Sequence, residues 1–97
     1  MPIIDDDETL VTPDGLSVRR RRHDLSLSLR DLVEAIAAAQ ERATGLRDTI
    51  TPSLLSGIEE RAERVPWATL RLVASGLDCD PVDILGHDAE PDGDAVR

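Results

Sequence analysis

Ninety-seven residues with 11 basic and 20 acidic side chains carry a formal net charge of −9, room for one small domain with a modest core. The longest apolar run is five residues, Ala35 to Ala39, which excludes a transmembrane helix, and the lone Cys79 can form neither an internal disulfide nor a structural zinc site. One Trp, no Tyr and no Phe leave almost no aromatic surface for stacking on single-stranded nucleic acid, and every basic side chain is Arg.

The charge is segregated along the chain. Residues 1–15 sum to −5, residues 16–77 to +2 and residues 78–97 to −6, so a mildly basic centre lies between two acidic ends. The start, Met1-Pro2-Ile3-Ile4 followed by three Asp, has no basic segment ahead of an apolar stretch, so a cytoplasmic location is expected rather than secretion. Thr12-Pro13-Asp14-Gly15 is a turn signal, and Glu90-Pro91-Asp92-Gly93-Asp94 repeats the theme. Residues 1–14 and 87–97 are expected to be flexible acidic tails around a domain at 15–86, because neither end has enough apolar surface to order itself. Such tails serve solubility, compete with an anion for the Arg-rich centre, or recruit a basic partner protein.

Within the centre, Leu16 to His23 is a candidate first helix carrying Arg19-Arg20-Arg21-Arg22, either a solvated face or a phosphate clamp. Leu25 to Leu29 alternates with period two, but it is short and has no partner strand in the sequence, so a connector is preferred. Leu29, Leu32, Val33, Ile36, Ala37 and Ala39 trace one helical face, with Ser28 and Asp31 resembling a capping box. This helix is predicted over 29 to about 42, stopping before Gly45. Thr51-Pro52 then gives the clearest start signal: a hydroxyl at the N-cap and a Pro at N1, where no N–H is needed. Leu55, Ile58, Ala62 and Val65 step by three, four and three, and Pro66 ends the pattern, which predicts a helix over 52–64. Trp67, Leu70, Val73, Ala74 and Leu77 form a further stripe closed by Gly76 or Asp78, and Asp80-Pro81 opens a last short helix ending at Gly86. The fold class expected is all-α, a small domain of four to five helices with no sheet.

Nothing in the sequence has the spacing of a catalytic or metal site. His23 and His87 are far apart, no base adjoins Cys79 to lower its pKa, and no phosphate loop or nucleophile elbow is present. No enzymatic activity and no cofactor are expected.

Three segments carry a resemblance. Leu27-Ser28-Leu29-Arg30-Asp31-Leu32-Val33-Glu34-Ala35-Ile36, then Thr44 to Glu59 with its Ile50-Thr51-Pro52-Ser53-Leu54-Leu55-Ser56-Gly57-Ile58-Glu59 run, then Arg64-Val65-Pro66-Trp67-Ala68-Thr69-Leu70, resemble the lambda-repressor/Cro-like helix-turn-helix family (XRE family) over about residues 16–86. The likeness is greatest to members with extra residues between the two motif helices, here about Ala39 to Leu46. It implies a lambda-repressor-like domain that binds double-stranded DNA as a sequence-specific transcriptional regulator or repressor, in the nucleoid, and as a homodimer. The first motif helix would lie across the backbone with its N-terminus, Ser28 and Arg30, near a phosphate. The helix from Thr51 would enter the major groove, with Ser53, Leu54, Ser56 and Gly57 pointing outward to base edges and Arg47 and Arg61 contacting phosphate. Arg22 occupies the place of a phosphate-binding Arg in the first helix of the family. Four departures stand beside this: Leu29 replaces a usual Gln, the usual Gly turn after Ile58-Glu59 is missing, a usual apolar position of the first helix falls on Arg21, and the presumed recognition face has no Arg, Lys, Asn or Gln. Trp67 either fills the core or joins Val82, Ile84 and Leu85 in a dimer seam. The alternative function is a protein-protein adaptor of antitoxin type on the same scaffold, acting through the acidic tails.

Overall fold

A computed structural model describes residues 7–86. Its elements are strand β1 (Leu10–Val11), helices α1 (Gly15–Asp24), α2 (Leu29–Thr44) and α3 (Pro52–Arg61), strand β2 (Val65–Pro66), helix α4 (Trp67–Leu77) and a 3-10 turn at Pro81–Ile84. The chain is mostly helical. The acidic segment from 87 onward, expected to be flexible, and the one before Asp7 lie outside the described residues.

The helix boundaries follow local chemistry. Asp14 caps α1 by accepting from the Ser17 N–H at 3.2 Å. Ser28 and Asp31 form a reciprocal capping box on α2, and Gly45 closes that helix in the left-handed region at φ 87°. Thr51 caps α3 through the Leu54 N–H, ahead of Pro52. Two expectations are corrected. Helix α3 stops at Arg61, not near Arg64, because Ala62 turns left-handed (φ 50°) and donates its N–H to the Ile58 carbonyl at 3.1 Å. The turn that a Gly would ordinarily make is made by Ala62.

The second correction concerns the N-terminal segment. Residues 7–14 belong to the fold and are no tail, and the domain contains a small sheet. Strand β1 pairs antiparallel with β2, Leu10 opposite Pro66 and Val11 opposite Val65. Pro66, at the N-cap of α4, has no side chain to offer the first N–H groups of that helix. The Thr9 carbonyl accepts from Trp67 N–H at 2.8 Å and the Asp7 carbonyl from Ala68 N–H at 3.0 Å, so the N-terminal segment caps α4. Beyond it, Asp14 N–H donates to the Ile84 carbonyl at 2.8 Å and Gly86 N–H to the Thr12 carbonyl at 2.7 Å, tying the segment to the 3-10 turn.

The core lies between two helix pairs, α2 on α4 and α1 on α3. Val18, Leu32, Ile36, Leu55, Ile58, Leu70, Val73 and Ile84 are fully buried in it, as their helical spacing requires. Two glycines let the pairs close. A Cβ on Gly76 of α4 would sit 2.5 Å from Ile36 Cγ1 of α2, and one on Gly15 of α1 would sit 2.7 Å from the Glu59 carbonyl of α3. Trp67 and Ile84 are buried here too, so they are not available to a dimer seam; of that group only Val82 is well exposed, at 63%.

Candidate nucleic-acid interface

The candidate surface is built around the leading end of α3. Thr51 and Ser53 are exposed there, and no acidic side chain falls in the first turn. Pro52 has no N–H, Leu54 N–H is taken by the Thr51 hydroxyl at 3.1 Å, and the helix geometry leaves the Ser53 N–H facing outward without an intrahelical acceptor. The aligned peptide dipoles make this end locally positive. The first acid along α3, Glu59, is buried and neutralised.

Its neutralising partner is Arg22. Arg22 Nε donates to Glu59 Oε2 at 2.7 Å and Nη2 to Oε1 at 2.9 Å, while Nη1 donates to the Leu27 carbonyl at 2.8 Å. The hydrogen bonds to Glu59 hold the guanidinium above its ordinary pKa, against the opposing effect of burial. Arg22 therefore braces α1, the α1–α2 turn and α3 together; it is not the exposed phosphate contact expected from its position.

Of the residues expected to point outward from α3, only Ser53 is exposed. Leu54 and Ser56 are half-buried, with Leu54 packed against the core, and Gly57 is buried. The side chains of Arg61 and Glu63 lie over Gly57, because Ala62 folds the chain back across the helix. Arg61 itself is exposed, but its Nη2 lies 3.3 Å from Glu63 Oε1.

Arg47 is also exposed and also engaged. It bonds Glu34, and its Nη1 donates to Glu41 Oε1 at 2.9 Å. These bonds, Glu41 first, raise its pKa above the ordinary value. Thr49 adds a hydroxyl bond to the Val33 carbonyl at 2.7 Å, so the loop between α2 and α3 is fastened along α2 at two points. Ser28 spends its side-chain acceptor on Asp31 N–H. Asp31, whose pKa is lowered by its hydrogen bonds from Ser28, puts a carboxylate at the end of α2 where a phosphate was expected. Beside it, Arg30 is exposed and makes no ion pair among the described residues, and the same holds for Arg20 and Arg42.

The structure thus brings Thr51, Ser53, Leu54 and Ser56 onto one helix and moves Arg22 and Gly57 inward. Sequence reasoning missed Glu34, Glu41, Glu59 and Glu63. Glu34 and Glu41 are seven apart, hence on one face of α2, and that spacing was the available signal. No cluster of potential metal ligands occurs among the described residues, and no helix there is long and apolar enough to cross a membrane. Burial pushes the Cys79 thiol up, which keeps it protonated and unreactive at neutral pH. No protein-family model, curated protein or solved structure matches this chain.

Proposed function

We propose that the chain is a lambda-repressor/Cro-like helix-turn-helix protein that binds double-stranded DNA as a transcriptional regulator, with α2 across the backbone and the leading turns of α3 in the major groove. The observation that carries this reading is the acid-free, exposed and capped end of α3 in a protein of net charge −9. A helix end of that kind admits a polyanion on a chain whose net charge is otherwise unfavourable to one. The order and capping of α2 and α3 agree with the motif, and the Arg22–Glu59 brace fixes α3 against α1, a rigid mounting for a reading helix. Thr51 and Ser53 supply hydroxyls for phosphate or base edges, and Arg30 supplies an exposed guanidinium with no ion pair among the described residues. Base readout is sparse, so sequence preference rests on Ser53, part-exposed Leu54 and DNA shape. Two half-sites read by a homodimer would double the few contacts. A nucleoid-associated, cytoplasmic protein is the corresponding location.

A second reading, a protein-binding adaptor on this scaffold with a basic partner, is favoured by one observation: Arg47 and Arg61 already hold the protein's own carboxylates. Selection of bound fragments from genomic DNA, followed by titration over a salt series, separates the two. DNA binding predicts that log K falls linearly with log salt, by about 0.9 per phosphate engaged, and that Arg30→Ala reduces the slope by about one contact. Absence of any retained fragment at low salt overturns the DNA reading; copurification of a basic protein in its place supports the adaptor.

A further inference from the structure

Ten arginines lie in residues 16–77, yet Arg47, ahead of α3, and Arg61, its last residue, are committed to carboxylates of the same chain. Arg47, four residues before the Thr51 cap, sits between Glu34 and Glu41. Arg61, at the other end of α3, holds Glu63, and this pair covers Gly57 in the middle of the helix. Arg20, Arg30 and Arg42, by contrast, make no ion pair among the described residues. Both masking contacts are at the surface: the Glu34 side chain is 72% exposed, Glu41 52% and Glu63 48%. Exposed pairs are weak and exchange readily, so an incoming phosphate can take the place of a carboxylate. A buried clamp such as Arg22–Glu59 would not allow that exchange.

We propose that Glu34, Glu41 and Glu63 form an acidic screen over the DNA-facing surface, holding Arg47 and Arg61 on internal carboxylates until the phosphates of a DNA duplex replace them. This rests on the DNA-binding reading above and adds the residues that set its affinity. The screen has two effects with one cause. Each arginine must leave a carboxylate before it neutralises a phosphate, and each released carboxylate then lies beside the polyanion. Binding is thereby held down on duplexes that engage only part of the surface, and it gains most where both ends of α3 are engaged together. The seven-residue spacing of Glu34 and Glu41 along α2 places both carboxylates on the side where the α2–α3 loop returns.

The test uses the full chain and a labelled mixed-sequence DNA duplex, titrated by fluorescence anisotropy over a salt series. E34Q/E41Q keeps hydrogen-bond acceptors for Arg47 but removes their charge, and E63Q does the same for Arg61 independently. The proposal predicts that E34Q/E41Q binds roughly threefold to tenfold tighter than the unmodified protein, and that its salt slope steepens by about 0.9, one further phosphate contact. Adding R47A to that variant abolishes both gains. E63Q gives a smaller gain of the same kind. The control D24N/D78N removes the same charge from carboxylates that hold no arginine among the described residues and gains less than E34Q/E41Q. Equal affinities for E34Q/E41Q and the unmodified protein, or an equal gain in the control, overturn the screen and leave DNA binding standing. No binding by any variant at low salt overturns the DNA reading, and the screen with it.

Discussion

Arg22 shows how burial changes the meaning of a charged residue. A guanidinium on an exposed helix face is free to meet a phosphate or water; the same group 2.7 and 2.9 Å from the two oxygens of a buried carboxylate is a tie between helices. The two partners are 37 residues apart, so no local pattern pairs them. A trace of the pairing was present nonetheless: Arg22 falls four residues after Val18 and Glu59 four after Leu55, both at inward positions of their helices. Removing Glu59 strands the Arg22 charge in the core, and removing Arg22 leaves buried Glu59 with only the half-exposed Arg19, whose Nε lies 4.0 Å away. Arg22→Ala or Glu59→Ala is therefore expected to lower the unfolding free energy by about 3–5 kcal/mol in urea denaturation. The paired replacement R22M/E59L is expected to recover most of that loss, because it removes both charges and keeps apolar volume in place. Single variants as stable as the unmodified chain would show that the brace is dispensable.

At the scale of the element, all the helices were legible and their ends were legible only where a side chain announces them. Ser28, Thr51-Pro52 and Gly45 have specific cap chemistry, and α2 and α3 start where those residues say. The end of α3 was hidden because Glu60, Arg61, Ala62 and Glu63 are all compatible with helix, and Ala62 is the strongest helix former of all. Tertiary structure overrides that preference: Val65 is committed to β2, and the chain must reverse within three residues to reach it. A left-handed Ala has its Cβ close to the following carbonyl oxygen. Ala62→Gly is accordingly expected to stabilise the protein by about 0.5–1 kcal/mol, the relief of strain exceeding the added freedom of the unfolded chain. Gly76→Ala, inside a helix where Ala has the better propensity, is expected to destabilise by about 1–3 kcal/mol because its methyl would meet Ile36. Thermal melts of the two variants should move in opposite directions.

The whole molecule differs from its sequence reading mainly at its acidic start. Thr9-Leu10-Val11-Thr12 is rich in β-branched residues, yet two residues per strand cannot declare a ribbon whose other half begins at Val65. The need for it is visible only from the other side, in a helix that begins after Pro66 with no side-chain cap. Truncation of residues 1–9 is expected to lower stability by about 1–3 kcal/mol through loss of the carbonyls of Asp7 and Thr9. Hydrogen exchange at Trp67 and Ala68 should accelerate well beyond that at Leu70, which is held within α4. Unchanged exchange at those two amides would show that α4 does not depend on the segment. The candidate interface was legible to a similar degree. Its helix and its exposed Ser53 follow from spacing and capping, whereas the carboxylates around Arg47 and Arg61 depend on the path of a loop and on the turn at Ala62.

The central claim, that the leading end of α3 meets DNA, is tested most directly by Ser53→Glu. An acid in the first turn of a helix favours the helix, so the variant is expected to fold with at least the stability of the unmodified protein. The same carboxylate would face the phosphates across the groove, and affinity for a DNA duplex at low salt is expected to fall by about tenfold or more. A stably folded Ser53→Glu protein with undiminished DNA affinity would contradict the account.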